Sequence, residues 1–380
     1  MNKKRNRAGI RKWTGVAWGY FWHSGWLRRI LFVIIAVFVV LTGAAYGIGQ
    51  WYIHKHDKEP IVLGASFIPD YAESFGLNPK DTLTAMLKPV SQDGLGLKQV
   101  RLVSYWSDVE PTPGHYDFSK LDWQFALANK YGARVSLSIG LRQPRWPECH
   151  EPGWVTIDPN NRQSWEPQLY KFMEAVINHY KNNPALHDYE LENEFFMKVF
   201  GECKDFDRNR LVSEYNLVKG MDTAHQVIIS RSDNWIGIPV GKPTPDVFAI
   251  SVYKRVWDTT FTHRYFEYPL PPWFYSALAG SEELVSGKDM IIHELQAEPW
   301  TPKGQAITDT SLQEQYKSMN PQRMKDRIAY GEATGMRTID LWGAEWWYWL
   351  KVKEHQPAIW NTVQRAVEQA EAHNAKLSRN

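Results

Sequence analysis

Eight short β-branched runs, separated by stretches of helical composition, fill the chain after residue 57 and limit the folds open to it. They are IVLGAS from 61, QVRLVS from 99, ARVSLSIG from 133, DYELENE from 188, QVIISRS from 226, DVFAISVY from 246, DMIIHE from 289 and RTIDLWG from 337. Helices are expected over 80–91, 118–131, 166–182, 208–222, 272–286 and 311–334, with 357–376 closing the chain. The connection 232–245 is too short and Pro-rich for a proper helix. Eight strands with helices between most of them predict an α/β fold, a (β/α)8 TIM barrel, in preference to an open doubly wound sheet. No internal repeat or second-domain linker interrupts the pattern, so 61–380 reads as one domain.

The segment before the barrel has a different character. From Ile30 to Gly49 runs ILFVIIAVFVVLTGAAYGIG, 20 residues without a charge. As a helix it spans about 30 Å, one bilayer core. Residues 30–50 are therefore expected to be a transmembrane signal-anchor, preceded by a basic leader, 1–29, and followed by a linker, 51–60. No Asp or Glu occurs before Asp57, whereas Arg28 and Arg29 precede the run and Trp51 and Tyr52 follow it at the interfacial level. The positive-inside rule then puts the N-terminus in the cytoplasm and the barrel outside. The rival is a cleaved signal peptide, with small residues at 42–45 as its cleavage site. Trp18, Trp22 and Trp26 recur every fourth residue, as on a helix lying against the inner membrane surface, the alternative being a disordered leader. Residues 1–56 hold 9 of the 44 basic residues, leaving 35 against 42 acidic ones. The rest of the chain is therefore acidic, and nucleic-acid binding has little support.

Active sites of such barrels lie at the C-terminal ends of the strands, and here those ends are polar or aromatic. Arg101 and Trp106 follow the second run, Arg142 and Trp146 the third, and Asn234 and Trp235 the fifth. Tyr253 ends the sixth and Trp342 the eighth. The fourth run carries Glu190, Glu192 and Glu194 at every second residue, which in a strand turns all three to one face. Glu294 ends the seventh run, and Glu298 in the same motif reads as a surface residue. His293 is expected on the opposite face from Glu294. Two carboxylates from the fourth and seventh runs would meet across the barrel mouth, an arrangement that cleaves glycosidic bonds.

VRLVSYWSDVEPTPGHYDFSKLDWQFALANKYGARVSLSIGLRQPRWP, residues 100–147, resembles the clan A retaining glycoside hydrolases. ENEF, 192–195, is similar to the Asn-Glu motif of that clan, and HELQAEPW, 293–300, to its nucleophile motif. The likeness spans roughly 61–350, with features of families 42, 35 and 5. It implies a β-glycosidase acting by double displacement, with Glu194 as acid/base and Glu294 as nucleophile. Asn193, Arg101 and Tyr253 would support them, with Arg101 and Tyr253 on the nucleophile, and Trp342 would be the platform for the sugar. Glu192 and Glu190 would lie deeper, supporting Glu194 by pairing with Arg101 or another basic group. The carboxyl pair of a retaining enzyme stands about 5–5.5 Å apart. A transglycosylase with the same dyad and a non-catalytic glycan-binding barrel are the alternatives.

Of the 19 tryptophans, 14 lie after residue 56, including Trp342, Trp346, Trp347 and Trp349 in one expected loop. Flat aromatic faces pack on sugar C–H groups, and Trp342 and Trp300 are the expected contacts. Cys149 and Cys203 are the only cysteines. In an exported domain such a pair commonly forms a disulfide, the alternative being two unpaired buried thiols. No zinc, phosphate-loop or serine-elbow signature occurs. A hydrolase without metal or cofactor, acting on an oligo- or polysaccharide, is the simplest expectation.

Overall fold

The protein is described from a computed structural model covering residues 25–231 and 241–379. Trp18 and Trp22 of the leader, and Asn234 and Trp235 after the fifth run, lie outside the described residues.

Eight parallel strands close a barrel: β1 Val62–Ser66, β2 Gln99–Val103, β3 Arg134–Ile139, β4 Leu186–Leu191, β5 Gln226–Arg231, β6 Val247–Val252, β7 Met290–Gln296 and β8 Thr338–Trp342. Each strand pairs with its sequence neighbour, and β1 closes on β8 through Val62 opposite Thr338. Ten helices matter here: α1 Gly25–His56, α2 Pro79–Leu87, α3 Ser119–Tyr131, α4 Glu166–Tyr180, α5 Arg208–Met221, α6 Pro272–Ser286, α7 Leu312–Ser318, α8 Pro321–Glu332, α9 Ala344–Val352 and α10 Ala358–Leu377. A hairpin, 255–257 paired with 265–267, stands on the loop after β6.

The helices form because their apolar positions repeat at the helical period. In α4, Leu169, Phe172, Met173, Val176, Ile177 and Tyr180 are all buried, a single stripe facing the strands. They cover the outward residues of the sheet, Val100, Leu102, Val135, Leu137, Tyr189 and Leu191 among them. Inside the barrel the floor is apolar, with Ile228, Ala249 and Ile291 in one cluster. Beside and above that cluster the filling is polar, beginning at the first residues of β2 and β3. Gln99 donates to Asp340 at 3.0 Å and Arg134 to Gln99 at 2.9 Å. Branched aliphatic layers are the usual filling of such barrels; here a hydrogen-bonded network rises toward the mouth instead.

Three expectations need correction. Residues 51–60 are not a linker, because α1 runs unbroken to His56 and packs on α6. Tyr52, expected at a membrane interface, is buried, its hydroxyl donating to Asp289 at 2.7 Å. The stretch 311–334 is two helices. Asn320 caps the second by accepting from Arg323 N at 2.9 Å, and Pro321 occupies its first turn, a combination that starts a helix and interrupts the preceding one. Trp346, Trp347 and Trp349 lie on α9 rather than in a loop; Trp346 and Trp347 are buried, their indoles donating to Gln315 and to the Ala297 carbonyl.

Candidate active site

The mouth of the barrel is organised around Arg101, which enters from β2 and is buried. Its Nε and Nη2 donate to the two oxygens of Glu190 at 2.8 and 2.6 Å. Nη1 donates to Glu294 at 2.6 Å, and Nη2 also reaches Asn193 Oδ1 at 2.8 Å. Burial alone works against the Arg101 charge; the Glu190 and Glu294 carboxylates outweigh it and raise the pKa above the arginine range. One planar fork thus ties β2, β4 and β7 together, a geometry that suits guanidinium and not ammonium.

Glu294 is held from its other side as well. Tyr253 Oη donates to Glu294 Oε2 at 2.8 Å, and the Tyr253 ring meets Trp300 edge-on at 5.6 Å. Burial raises the Tyr253 pKa, and the neighbouring Glu294 charge raises it further, so the phenol stays a donor.

The position of Glu294 depends on an irregularity. Ile292 of β7 pairs with Ile250 of β6, but Glu294 pairs with the very next residue, Ser251. The extra residue on β7 is a β-bulge, which re-aims the side chains after it. His293 is therefore inside the barrel and not on the opposite face as expected. Its ring lies 3.2 Å from Ser136 Oγ, and near Glu190 and Asp340. Glu294, the next residue, also turns inward, one layer higher.

The three glutamates of the fourth run do not share a face. Strand β4 ends at Leu191, and Glu192 and Glu194 have φ of 57° and 44°. This left-handed region costs a non-glycine residue about 1–2 kcal/mol, so the surrounding bonds must impose it. Only Glu190 points into the barrel from the strand. Ser138 and Ser230 donate to it at 2.5 and 2.8 Å. Although burial opposes its charge, Arg101 holds the Glu190 carboxyl well below the usual range. Glu192 turns outward, where Leu141 N, Arg142 N and Arg210 Nη1 donate to it at 2.5, 3.2 and 2.9 Å. Its basic partner is Arg210 of α5 and not Arg101. Asn193 and Glu194 then swing over the mouth, with Glu194 N donating to Ser230 Oγ at 2.9 Å.

Glu194 is buried, and its carboxyl is pushed up to about 8, first by burial, then by the charges of Glu294 and Glu148. Glu148 had no part in the sequence expectation. It lies in the loop after β3, accepts from Asn193 Nδ2 at 2.9 Å and sits 3.4 Å from Arg142 Nη2. Burial lifts its own carboxyl to about 7. The structure joins Cys149, the next residue, to Cys203 in a disulfide, linking the loops after β3 and β4. Adjacency to a candidate disulfide cysteine was the available signal for Glu148.

Trp342 ends β8 but is 6% exposed, and the Arg145 guanidinium covers one face at 4.4 Å from the ring centre. Trp300 is partly exposed beside Tyr253. Trp106, by contrast, is buried against Phe172 and donates to Glu110 at 2.7 Å, a packing role. Glu298 is buried rather than surface-exposed, bound by Arg145 at 3.2 Å and Tyr71 at 2.9 Å.

Residues 79–250 match the family model for glycoside hydrolase family 42, described as beta-galactosidase. Beta-galactosidase BbgII of Bifidobacterium bifidum is 30% identical over 132 residues, 31% of this chain and 19% of that protein, so the chain spans about a fifth of this curated relative. Among solved structures, exo-beta-1,4-mannosidase Op5Man5 from Opitutaceae bacterium strain TAV5 superposes with a TM-score of 0.52 at 13% identity, over 83% of this chain and 60% of that one. The beta-galactosidase of the psychrophilic Marinomonas ef1 gives 0.52 at 11% identity, over 84% and 60%. At those identities the structural likeness establishes the shared barrel fold.

Proposed function

From this relationship to the β-galactosidase-type glycoside hydrolases, we propose that the chain is a retaining β-glycosidase, held at a membrane by α1 with its barrel outside the cytoplasm. Glu294 is the nucleophile and Glu194 the acid/base. One observation carries the reading. Arg101 and Tyr253 hold Glu294 from two sides, while the same Arg101 grips Asn193 beside a buried Glu194. A carboxylate fixed by a cation and a phenol has an oriented oxygen for attack on the anomeric carbon. A second carboxyl kept protonated near neutral pH can deliver a proton to the leaving oxygen. After departure of the aglycone, Glu194 takes a proton from water as the water oxygen bonds to the anomeric carbon, and the bond from that carbon to Glu294 breaks to release the sugar. Asn193 and Trp300 line the sugar site, and Trp342 with Arg145 over it forms a wall of that site.

Support for the anchor is compositional: α1 is 32 residues long, with 30–49 uncharged. The catalytic test is trapping with a 2-deoxy-2-fluoro β-glycoside followed by peptide mapping. Label on Glu294 is expected; label on Glu298 would refute the assignment. Glu194→Ala should slow substrates with poor leaving groups by orders of magnitude while sparing activated aryl glycosides in the first step. Equal losses for both would remove Glu194 as the acid.

A further inference from the structure

We propose that the barrel mouth faces the bilayer holding α1, and that its substrate is a glycan carried on a lipid of that membrane. The inference rests on the anchor and glycosidase readings above and adds an orientation to them.

Chain direction decides it. Every strand runs toward the mouth and every following helix runs back, so α6 begins near the mouth at Pro272 and ends at the opposite end with Ser286, just before Asp289 and β7. Helix α1 lies along α6 in the same direction. Tyr46 meets Trp273 edge-on at 5.6 Å. A Cβ on Gly49 would stand 2.8 Å from the Trp273 carbonyl oxygen, and one on Gly280 would stand 2.9 Å from Ile48 Cγ2. Only glycine at these two positions lets the backbones approach so closely. Further along, Lys55 and His56 bind Glu283, and Tyr52 Oη reaches Asp289. Contacts advance together along both helices, so they are parallel. His56 is therefore at the closed end, and everything before Tyr46 projects past the mouth end. That projecting part, Gly25–Ala45, is about 30 Å of helix; its uncharged stretch, 30–45, is about 24 Å, a span a slightly thinned bilayer accommodates with Arg28 and Arg29 at the far headgroups. Antiparallel packing would have pointed the mouth away from the membrane.

The mouth loops give a second, independent observation. Trp146 after β3 is 57% exposed, Val199 after β4 is 91% exposed, and Phe261 in the hairpin after β6 is 88% exposed. Lys198 and Arg264 are exposed next to these tips. Protruding apolar side chains on three separate loops at one end, flanked by cations, suit a lipid interface with its headgroups. With the lipid boundary near Tyr46, the mouth rim lies at headgroup level. A glycan whose root is in the same bilayer is presented to such a mouth, whereas a soluble polymer must enter between the barrel and the lipid.

The test uses the full chain in phosphatidylcholine vesicles, with an environment-sensitive nitrobenzoxadiazole dye on Val199→Cys, Phe261→Cys or Val285→Cys. Val285, on the last turn of α6, is 78% exposed at the opposite end. Spin-labelled lipid should quench the dye at 199 and 261 and leave 285 unchanged. Quenching at 285, or at none of the three, overturns the proposal. The same vesicles carrying lactosylceramide are assayed beside a soluble nitrophenyl β-galactoside. A flexible Gly-Ser insertion between Ala45 and Tyr46 should cut glycolipid turnover at least 10-fold and spare the soluble substrate. Equal turnover of glycolipid by both forms overturns the substrate claim. Loss of the soluble activity in the unaltered chain would strike the glycosidase reading instead.

Discussion

At the scale of single residues, the acid and its neighbours set a pH dependence. Glu194 in the folded chain keeps its proton to about 8, above the ordinary 4.5, so the acid role proposed for it is present below 8 and lost as pH rises through that value. The basic limb of kcat/KM should therefore fall near pH 8. Glu148→Gln removes a negative neighbour while leaving an acceptor for Asn193, so that limb should move to lower pH, read from the pH–rate profile. An unmoved limb would exclude Glu148 from tuning the acid. The stability consequence has the opposite flavour from a salt-bridged acid. Because the folded state holds a proton the unfolded state releases, stability falls as pH rises from about 4.5 to 8. Glu194→Gln should then raise the melting temperature above pH 8 while it reduces activity. Tyr253→Phe removes one donor from Glu294; a hydrogen bond to a charged group is worth about 1.5–3 kcal/mol, so kcat/KM should drop roughly 10- to 150-fold with the fold intact. Arg101→Leu is a harsher change, since it leaves Glu190 buried without its cation, a loss of about 3–5 kcal/mol visible in a chemical denaturation curve.

At the scale of elements, the positions of the eight strands and most helices follow from periodicity, because burial on one face repeats with the pitch of each element. What periodicity does not contain is the interruption. Alternation along β7 puts His293 and Glu294 on opposite faces; the bulge puts both inside. The alternation of Glu190, Glu192 and Glu194 fails for the same kind of reason. Two left-handed residues end β4 early, and they are held there by Arg210, by the backbone of 141–142 and by Ser230, all remote in sequence. The loops that make this turn are tied by Cys149–Cys203, across 54 residues. Cross-linking a loop of that length constrains the unfolded chain by about 4 kcal/mol. Cys203→Ser, or reduction, should lower the melting temperature, and because Glu148 is next to Cys149, it should also alter the basic limb of the pH profile. A lower melting temperature with an unchanged profile would limit the disulfide to stability.

At the scale of the whole molecule, α1 and the barrel form one packed body. Tyr52 is buried between α1 and the start of β7. A fragment starting at residue 57 loses that contact and bares the Gly280 face of α6. Truncating a buried aromatic side chain costs about 3–5 kcal/mol, so this fragment should melt well below one starting at residue 46; equal melting temperatures would show that α1 adds nothing to the barrel.

The sequence by itself determined the elements, their order and hence the closed barrel, because hydrophobic period and turn chemistry are local. It also brought Arg101, Tyr253 and Glu294 to the mouth ends of their strands, since strand ends are read from the same pattern, whereas Asn193 and Glu194 lie on the turn beyond β4. Only the tertiary structure decided which acid meets which base, that Glu148 joins the site, and that α1 runs parallel to α6. Those outcomes depend on contacts between residues up to hundreds of positions apart, and one-residue shifts in register or a reversed helix leave the local pattern unchanged while redirecting every side chain.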